Sequence, residues 1–115
     1  MSAEHRSALR VVYAPLALQD LDEVWGWNEK TYGPDHAARY VGFLERHIDA
    51  LGENHSRGRV VESRPELRYI QINQRKRGHG HIAVYRVDAD AVNVLHIFHT
   101  AQDWQTKLAE EHPNR

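Results

Sequence analysis

The chain has 115 residues, of which 41% are apolar and 27% are charged, and this composition is typical of a globular domain rather than a disordered segment. It contains no cysteine, which excludes disulfide bonds, thiol catalysis and thiolate metal sites and favours a reducing compartment. The formal net charge is −1, so broad electrostatic binding to nucleic acid is not indicated, and no apolar run reaches the roughly 18 residues of a membrane span. We therefore expect a single cytoplasmic domain over residues 1–115, with no membrane contact.

Charge is distributed unevenly along the chain. Residues 14–52 contain three basic and seven acidic side chains, whereas residues 53–86 contain eight basic and three acidic ones. A surface with separate acidic and basic regions could orient a charged macromolecular partner. Ordinary solvent-exposed faces produce similar distributions of charge.

A short strand and two helices are predicted for the first half of the chain. Residues 9–13 are β-branched and aromatic, and Pro15 then suits the first turn of a helix. Gly33-Pro34 ends that helix and begins the next, and so short a break predicts an antiparallel helical hairpin. The predicted core stripes are Leu18, Leu21, Val24, Trp25 and Tyr32 in the first helix, and Ala37, Val41, Leu44, Ile48 and Leu51 in the second.

A loop, three strands and a final helix are predicted for the second half. Residues 52–65 are polar and show no period, which predicts a loop. Strands are predicted over 67–74, 82–87 and 92–100, joined as an antiparallel meander, and a helix over 104–110. The predicted fold is therefore α+β, in the order β-α-α-β-β-β-α. We expect the helices on one face of the sheet and the other face free for binding.

The nine histidines suggest a metal site, but their spacing does not favour one. His96 and His99 lie three residues apart in a predicted strand, which places them on opposite faces. His79 lies in a predicted turn, and no carboxylate follows at ligand spacing. The chain also lacks a nucleophile motif and a glycine-rich phosphate-binding fingerprint. We therefore predict neither a metal nor a cofactor.

The predicted strand 82–87 and the residue before it carry the most suggestive polar side chains. Alternation places His81, Ala83 and Tyr85 on one face of the sheet and Arg86 on the other. Composition alone favours a structural interpretation, in which Tyr85 packs in the core with its hydroxyl satisfied. The alternative interpretation is a binding surface.

Four segments together resemble the ParE/RelE toxin superfamily, in the family's order and across Leu9–Trp104. They are Tyr-Ala-Pro-x-Ala-x-x-Asp-Leu-Asp-Glu-Val-Trp from Tyr13 to Trp25, Tyr-Gly-Pro-Asp-His-Ala-Ala-Arg-Tyr from Tyr32 to Tyr40, His81-x-x-x-Tyr85-Arg86 and Leu95-x-x-x-His99. The resemblance implies a helical hairpin packed on an antiparallel sheet. It also implies the toxin of a type II toxin–antitoxin module of the plasmid-stabilisation kind. The implied partner is a ParD-like antitoxin that forms a hetero-oligomer with the toxin and alone contacts operator DNA.

The superfamily contains two activities, and the resemblance favours one of them. RelE-like members are ribosome-dependent mRNA endonucleases that use basic side chains on the sheet. The corresponding positions here are Ile70, Ile72, Ile82 and Gln102, and each missing cation would cost about 3 kcal/mol of transition-state stabilisation. ParE-like members poison DNA gyrase by binding, and the His-x-x-x-Tyr-Arg motif resembles theirs, although His96 stands where they often carry arginine. We therefore expect a ParE-like binding toxin rather than an enzyme. The alternatives are an mRNA endonuclease and a non-toxic interaction module on the same fold.

The candidate target-binding residues follow from this resemblance. Arg68 and Arg86 would make charge-assisted contacts with the target or with antitoxin carboxylates. Tyr85 and Trp104 would be aromatic anchors. His99 would belong to the same surface, and it would act as an acid–base residue only if RNA chemistry were retained.

A second set of residues is expected to meet the antitoxin. Trp27, Tyr40 and Phe43 are large side chains beside the predicted core stripes, and such side chains need a cover. The basic turn Arg75-Lys76-Arg77 is a further candidate contact for DNA or a partner.

Overall fold

A five-stranded sheet and three α-helices make up the described part of the chain, which covers residues 8–75 and 78–111 of a computed structural model. The elements are β1 (Arg10–Tyr13), α1 (Pro15–Tyr32), α2 (Pro34–Asp49), β2 (Arg59–Val61), β3 (Arg64–Ile72), β4 (His81–Val87), β5 (Ala91–His99) and α3 (Trp104–Glu111), with 3-10 turns at Ala50–Gly52 and His55–Arg57. Within the described ranges, none of the helices combines the length and apolar composition that a membrane span requires. The predicted α+β class is confirmed.

The strands are arranged in the order β1-β5-β4-β3-β2, with β1 parallel to β5 and the other neighbours antiparallel. The predicted meander is confirmed as β3, β4 and β5. The prediction of a loop over residues 52–65 is wrong in part, because β2 lies within it. This strand has three residues and a register shift between Val60 and Val61, so it is too short to show a period in the sequence.

The second helix of the hairpin has the predicted core stripe. Pro34 begins α2 directly after Gly33, whose φ of 95° lies in the region that favours glycine. The buried side chains of α2 are Ala37, Val41, Leu44 and Ile48, and Leu51 is buried in the following 3-10 turn. The spacing of these residues matches the helical period closely, which is why the sequence predicted the buried face correctly.

The predicted core stripe of α1 is wrong for its largest side chains. Leu18, Trp25 and Tyr32 are 53%, 36% and 59% exposed, while Ala17 and Leu21 are buried. The three exposed residues recur every seven positions, so they share one line, but that line runs along the edge of the buried face rather than through it. Their size and hydrophobicity made them look like core residues although they lie on the surface.

Both faces of the sheet are covered, so the prediction of one free face is also wrong. The helical hairpin packs on one face, over a cluster that includes Ile70, Tyr85 and Val94. On the other face, α3 buries Leu108 against a second cluster. The ring of Trp104 lies 4.7 Å from that of Tyr69 in this second layer. The second layer follows from the apolar side chains that the strands carry on both faces.

A β-bulge in β5 determines which of its side chains face the hairpin. The register shifts at Leu95, which has no partner residue on β4. Val94 before the bulge and Ile97 after it both pack under the helices, although they are three residues apart. Alternation then places His99 on the helical face and His96 on the other, so the predicted separation of these two histidines is confirmed.

The second half of β5 is covered along its edge by α1 rather than by a strand. β1 pairs only with Ala91–Val94, and α1 crosses beside the remainder. There an oxygen of Asp20 accepts the Ile97 N–H at 2.8 Å and lies 3.4 Å from His96 Nδ1. Asp20 therefore satisfies a backbone donor that a neighbouring strand would otherwise satisfy.

We predict that Asp20→Ala lowers the free energy of unfolding by about 1–3 kcal/mol, because it leaves the Ile97 N–H without its partner. Asp20→Asn retains an acceptor oxygen and should lose less. Urea unfolding followed by circular dichroism measures both. The matched control is Asp22→Ala, at an exposed aspartate two residues further along α1. Equal losses in Asp20→Ala and Asp22→Ala would contradict the assignment.

Candidate functional site

Two predicted binding residues, Tyr85 and Arg68, lie side by side and hold a loop against the sheet. The Tyr85 side chain is 0% exposed, and its hydroxyl accepts the Gly58 N–H at 2.9 Å and donates to the His55 carbonyl oxygen at 2.7 Å. Arg68 Nη1 donates to the Gly58 carbonyl oxygen at 2.7 Å. A Cβ at Gly58 would overlap the Tyr85 hydroxyl, so the loop fits closely. The structural interpretation of Tyr85 therefore fits its position, and its buried ring does not reach a partner directly.

The other predicted target-binding residues are dispersed over the molecule. Arg86 is exposed on the sheet face opposite to Tyr85, with its Nε 3.3 Å from an oxygen of Asp88. Trp104 is half-buried in the second layer, and its ring packs against internal aromatic side chains. His99 is half-buried in a groove near α1, together with part of the predicted antitoxin-binding set. The sequence-predicted residues thus occupy three separate surfaces.

The groove has a volume of about 980 Å³ and lies where α1, α2, the β3–β4 connection, β5 and α3 meet. Its α1 wall includes Leu16, Val24 and Trp27. Its other end is lined by imidazoles, among them His79 and His81. The α1 wall therefore mixes apolar and aromatic side chains with polar ones, which are Gln19, Asp20, Glu23 and Asn28, and the opposite end is polar.

A continuous chain of aromatic and imidazole rings runs through this groove. Trp27 and Tyr32, at one end of the chain, are exposed, and the buried His81 lies towards the other. Successive ring centroids are separated by 5.8 Å (Trp27–Tyr32), 4.5 Å (Tyr32–His36), 6.5 Å (His36–Tyr40), 5.5 Å (Tyr40–His81), 5.2 Å (His81–His99) and 5.4 Å (His99–His79). Two of the predicted antitoxin-binding residues, Trp27 and Tyr40, belong to this chain. The third, Phe43, is half-buried beside Tyr40, with ring centroids 6.0 Å apart.

Tyr40 and His81 join the second helix to the sheet. The Tyr40 hydroxyl lies 2.7 Å from His81 Nδ1, and His81 is only 8% exposed. Burial, with a smaller effect from His99, lowers the pKa of His81 to about 4. Burial also raises the pKa of Tyr40 to about 12. Both side chains are therefore uncharged at neutral pH, and the contact is a hydrogen bond between neutral groups.

The hydrogen bonding of His99 determines what its ring can do. Its Nδ1 accepts the Ala101 N–H at 3.0 Å, so the neutral ring carries its proton on Nε2. Burial and the neighbouring His79 both lower the pKa of His99. A neutral ring in this tautomer can donate a hydrogen bond, but it has no free nitrogen to accept a proton or to bind a metal ion. The geometry therefore favours a hydrogen-bonding role over acid–base chemistry.

Among residues 8–75 and 78–111, no group of three or more histidine, aspartate or glutamate side chains is placed to hold a metal ion. Of the basic turn at 75–77, Arg75 is exposed and lines the groove, whereas Lys76 and Arg77 lie outside the described residues.

Two contacts that shape the groove were not predicted from the sequence. One is the Asp20–Ile97 hydrogen bond, and the other is the Tyr40–His81 hydrogen bond. Each joins residues far apart in the chain, so no local pattern indicates it. The only available signal was His81 within the His-x-x-x-Tyr-Arg motif, which marks the strand but not its partner.

The model of the family described as "ParE toxin of type II toxin-antitoxin system, parDE" matches residues 11–104. The chain belongs to the ParE toxin family. Among its relatives, the Sinorhizobium fredii protein Y4kP is 34% identical over 89% of this chain and 99% of its own length. Toxin ParE1 of Mycobacterium tuberculosis is 28% identical over 86% of this chain and 97% of its own length. Toxin ParE1 of Caulobacter vibrioides is 26% identical over 80% of this chain and 90% of its own length.

Solved structures show the same fold at lower sequence identity. A chain of the chromosomal ParDE system from Pseudomonas aeruginosa superimposes with a TM-score of 0.68 at 22% identity, over 79% of this chain and 95% of that one. A mutant of Escherichia coli toxin RelE in the free state gives a TM-score of 0.65 at 13% identity, over 94% of this chain and 100% of that one. The expected ParE/RelE-like fold is therefore confirmed.

We predict that protonation of His81 makes folding stability depend on pH. The pKa of His81 is about 4 in the folded chain and about 6.5 when unfolded, so the unfolded state binds the proton more tightly. The contribution is fully present above pH 6.5 and is lost as the pH falls towards 4. Between roughly pH 7 and pH 5, the free energy of unfolding should therefore fall by about 2 kcal/mol.

Urea unfolding at a series of pH values measures this dependence. His81→Gln removes the titrating group, so its stability should change less with pH than that of the wild type, whatever its absolute value. The control is His47→Gln, at a half-buried histidine of α2 outside the groove. If the His81 and His47 variants have the same pH dependence, His81 is not the group responsible.

Proposed function

We propose that this chain is the toxin of a type II toxin–antitoxin module, that it inhibits growth by binding DNA gyrase, and that a ParD-like antitoxin neutralises it. The observation that carries the proposal is the ParE family match over residues 11–104. The match includes both helices of the hairpin, β2 to β5 and all of β1 except Arg10. The chain therefore has the elements on which a ParE toxin is built.

The interior of the sheet favours action by binding over RNA cleavage. Ile70, Ile72 and Ile82 stand where RelE-like enzymes carry basic residues, and all three are buried in the two hydrophobic clusters. Cations at these positions would stabilise the charge that develops during cleavage, and buried isoleucines cannot do so. His99, with its proton on Nε2, also lacks the free nitrogen that a general base needs.

The target surface is proposed to include Arg86. Its guanidinium is exposed, and its ion pair with Asp88 is exposed too, so exchanging that partner for one on the target would cost little. His99 would contribute a hydrogen-bond donor at a different surface. Arg68 would act indirectly, by holding the loop 55–58 in position.

The antitoxin is proposed to cover the outer surface of α1. The apolar side chains exposed there are Leu16, Leu18, Trp25, Trp27 and Tyr32. So many exposed apolar side chains on one helix of a small domain are typical of a surface that a partner covers. Trp27 is the most exposed of them, at 60%, and aromatic side chains of this kind often dominate binding energy. Operator DNA would be contacted through the antitoxin, since the chain itself has a net charge of −1.

We predict that induced expression of this chain in a sensitive bacterium arrests growth and induces the SOS response while a tracked mRNA stays intact. Arg86→Ala should reduce the inhibition at equal protein level, because the charge-assisted contact with the target is lost. The expected reduction is on the order of tenfold in the inducer concentration needed for arrest, equivalent to about 1.4 kcal/mol. Growth curves, an SOS reporter and northern blots provide the measurements.

Arg39→Ala is the matched control, since Arg39 is an exposed arginine on α2, away from Arg86. Circular dichroism of both variants verifies folding. Arrest with cleaved mRNA and no SOS induction would contradict the proposed mechanism. Full toxicity of a folded Arg86→Ala variant would remove Arg86 from the target surface.

A further inference from the structure

The strand β2 forms one edge of the sheet, and its outer side pairs with no other strand of the described residues. On its inner side it pairs with β3, over Arg59–Val61. The backbone groups that point away from β3 are therefore open to a further strand. The opposite edge differs, because the Leu9 N–H donates to the Gly52 carbonyl oxygen and the 3-10 turn lies against the start of β1.

Three arginines surround the open edge. Arg59 is exposed on β2 itself, Arg57 is exposed in the 3-10 turn before it, and Arg68 is half-buried on β3, opposite Val60. Burial raises the pKa of Tyr85, and the charges of Arg68 and Arg57 oppose that rise, so both arginines lie near its hydroxyl. Within the described ranges none of the three arginines forms an ion pair, so their charges are left for a partner's anions.

The carboxylates beside this edge offset its positive charge only in part. Residues 53–68 contain four arginines and three glutamates. One glutamate, Glu66, accepts a hydrogen bond from Arg64 Nε at 2.7 Å. The other two, Glu53 and Glu62, are exposed and belong to the turns on either side of β2. The strand itself therefore carries only positive charge.

An exposed apolar side chain lies between these charges. Val60 is 47% exposed although it is the central residue of β2. Residues that are directly opposite on neighbouring strands share a face, so a strand added to β2 would place one side chain on Val60 and the adjacent one opposite Arg59. An apolar residue next to an aspartate or glutamate satisfies both positions.

An extended polypeptide fits this edge better than DNA or a second copy of the chain. The DNA backbone has no donors for the outward carbonyl groups of β2, and Glu53 and Glu62 would repel its phosphates. A second copy paired edge to edge would bring the Arg59 side chains of the two chains together, and like charges on adjacent strands are destabilising.

We propose that gyrase adds an extended acidic segment to the outer edge of β2, with a carboxylate opposite Arg59 and an apolar side chain on Val60. Arg59 lies on the same sheet face as Arg86, because its partner Tyr69 packs in the second cluster, so this edge extends the surface proposed for Arg86. The inference rests on the proposed function, since it takes gyrase as the partner. It goes beyond that function by naming the strand, the mode of binding and the chemistry of the segment.

The first experiment measures the affinity of the full-length chain for purified gyrase by biolayer interferometry, at about 50 and 200 mM NaCl. Arg57→Ala/Arg59→Ala should bind about tenfold more weakly at the lower salt concentration and should depend less on salt, because charge-assisted contacts are lost. Arg57→Glu/Arg59→Glu should bind about a hundredfold more weakly, since it repels the segment. Arg68 is left unchanged because it holds the Gly58 carbonyl oxygen.

The matched control is Arg39→Ala/Arg46→Ala, which removes two exposed arginines of α2 and should keep the wild-type affinity and salt dependence. Circular dichroism of all three variants verifies folding.

Hydrogen exchange tests whether a strand is added. The outward amides of Arg59–Val61 should exchange about tenfold more slowly in the gyrase complex than in the free chain, because they become hydrogen-bonded. Unchanged exchange at β2 in a complex that forms would overturn the added strand. Slowed exchange at higher concentration of the free chain would indicate pairing with a second copy and would also overturn it.

The affinity measurements separate this inference from the proposed function. If the wild type binds gyrase and both variants at Arg57 and Arg59 bind it equally well with the same salt dependence, the inference is overturned and the proposed function stands. If the wild type binds no gyrase, the proposed function fails and the inference fails with it. A labelled DNA duplex of mixed sequence and the antitoxin of the module are titrated in parallel. Loss of either interaction in these variants, with gyrase binding unchanged, would likewise overturn the proposal.

Discussion

The middle strand of the sheet constrains the whole molecule, because β4 is buried on both of its faces. The residues from His81 to Tyr85 are all buried, and those from Ile82 to Tyr85 alternate between the two hydrophobic clusters. A strand of this kind needs a layer on each side, which the helical hairpin and α3 supply. The surfaces left for binding are therefore the outer face of the hairpin, the strand edges, the groove beside α1 and the end of the second sheet face, where Arg86 is exposed.

The groove exists because two neighbouring strands have different lengths. β1 ends at Tyr13, whereas β5 continues to His99, so α1 rather than a strand borders the end of β5. Asp20 satisfies a backbone donor along this edge, and the bulge at Leu95 places His99 towards the helices. The polar contacts that hold the groove thus combine the Asp20 carboxylate with the hydrogen bond between the neutral Tyr40 and His81.

The sequence predicted the parts of this fold that have a strong local period. The core stripe of α2, the meander of β3 to β5 and the buried position of Tyr85 all followed from the spacing or type of neighbouring residues. The predicted core stripe of α1 was wrong because Leu18 and Trp25 are large and apolar but exposed, whereas the small Ala17 is buried. The second layer was missed because α3 is short and its contacts are long-range. The groove could not be predicted at all, since it brings together residues of α1, α2 and β4 through pairings that no local pattern encodes.

We propose that this ParE-family chain acts by binding gyrase and not by cutting RNA. The most direct test incubates the purified chain with DNA gyrase, ATP and a supercoiled plasmid, and in parallel with ribosomes translating a defined mRNA. Binding to gyrase should produce gyrase-linked breaks in the plasmid and leave the mRNA on the ribosomes intact. Cleaved mRNA together with unchanged gyrase activity would contradict it, and would mean that the chain cleaves RNA without the basic side chains that RelE-like enzymes use.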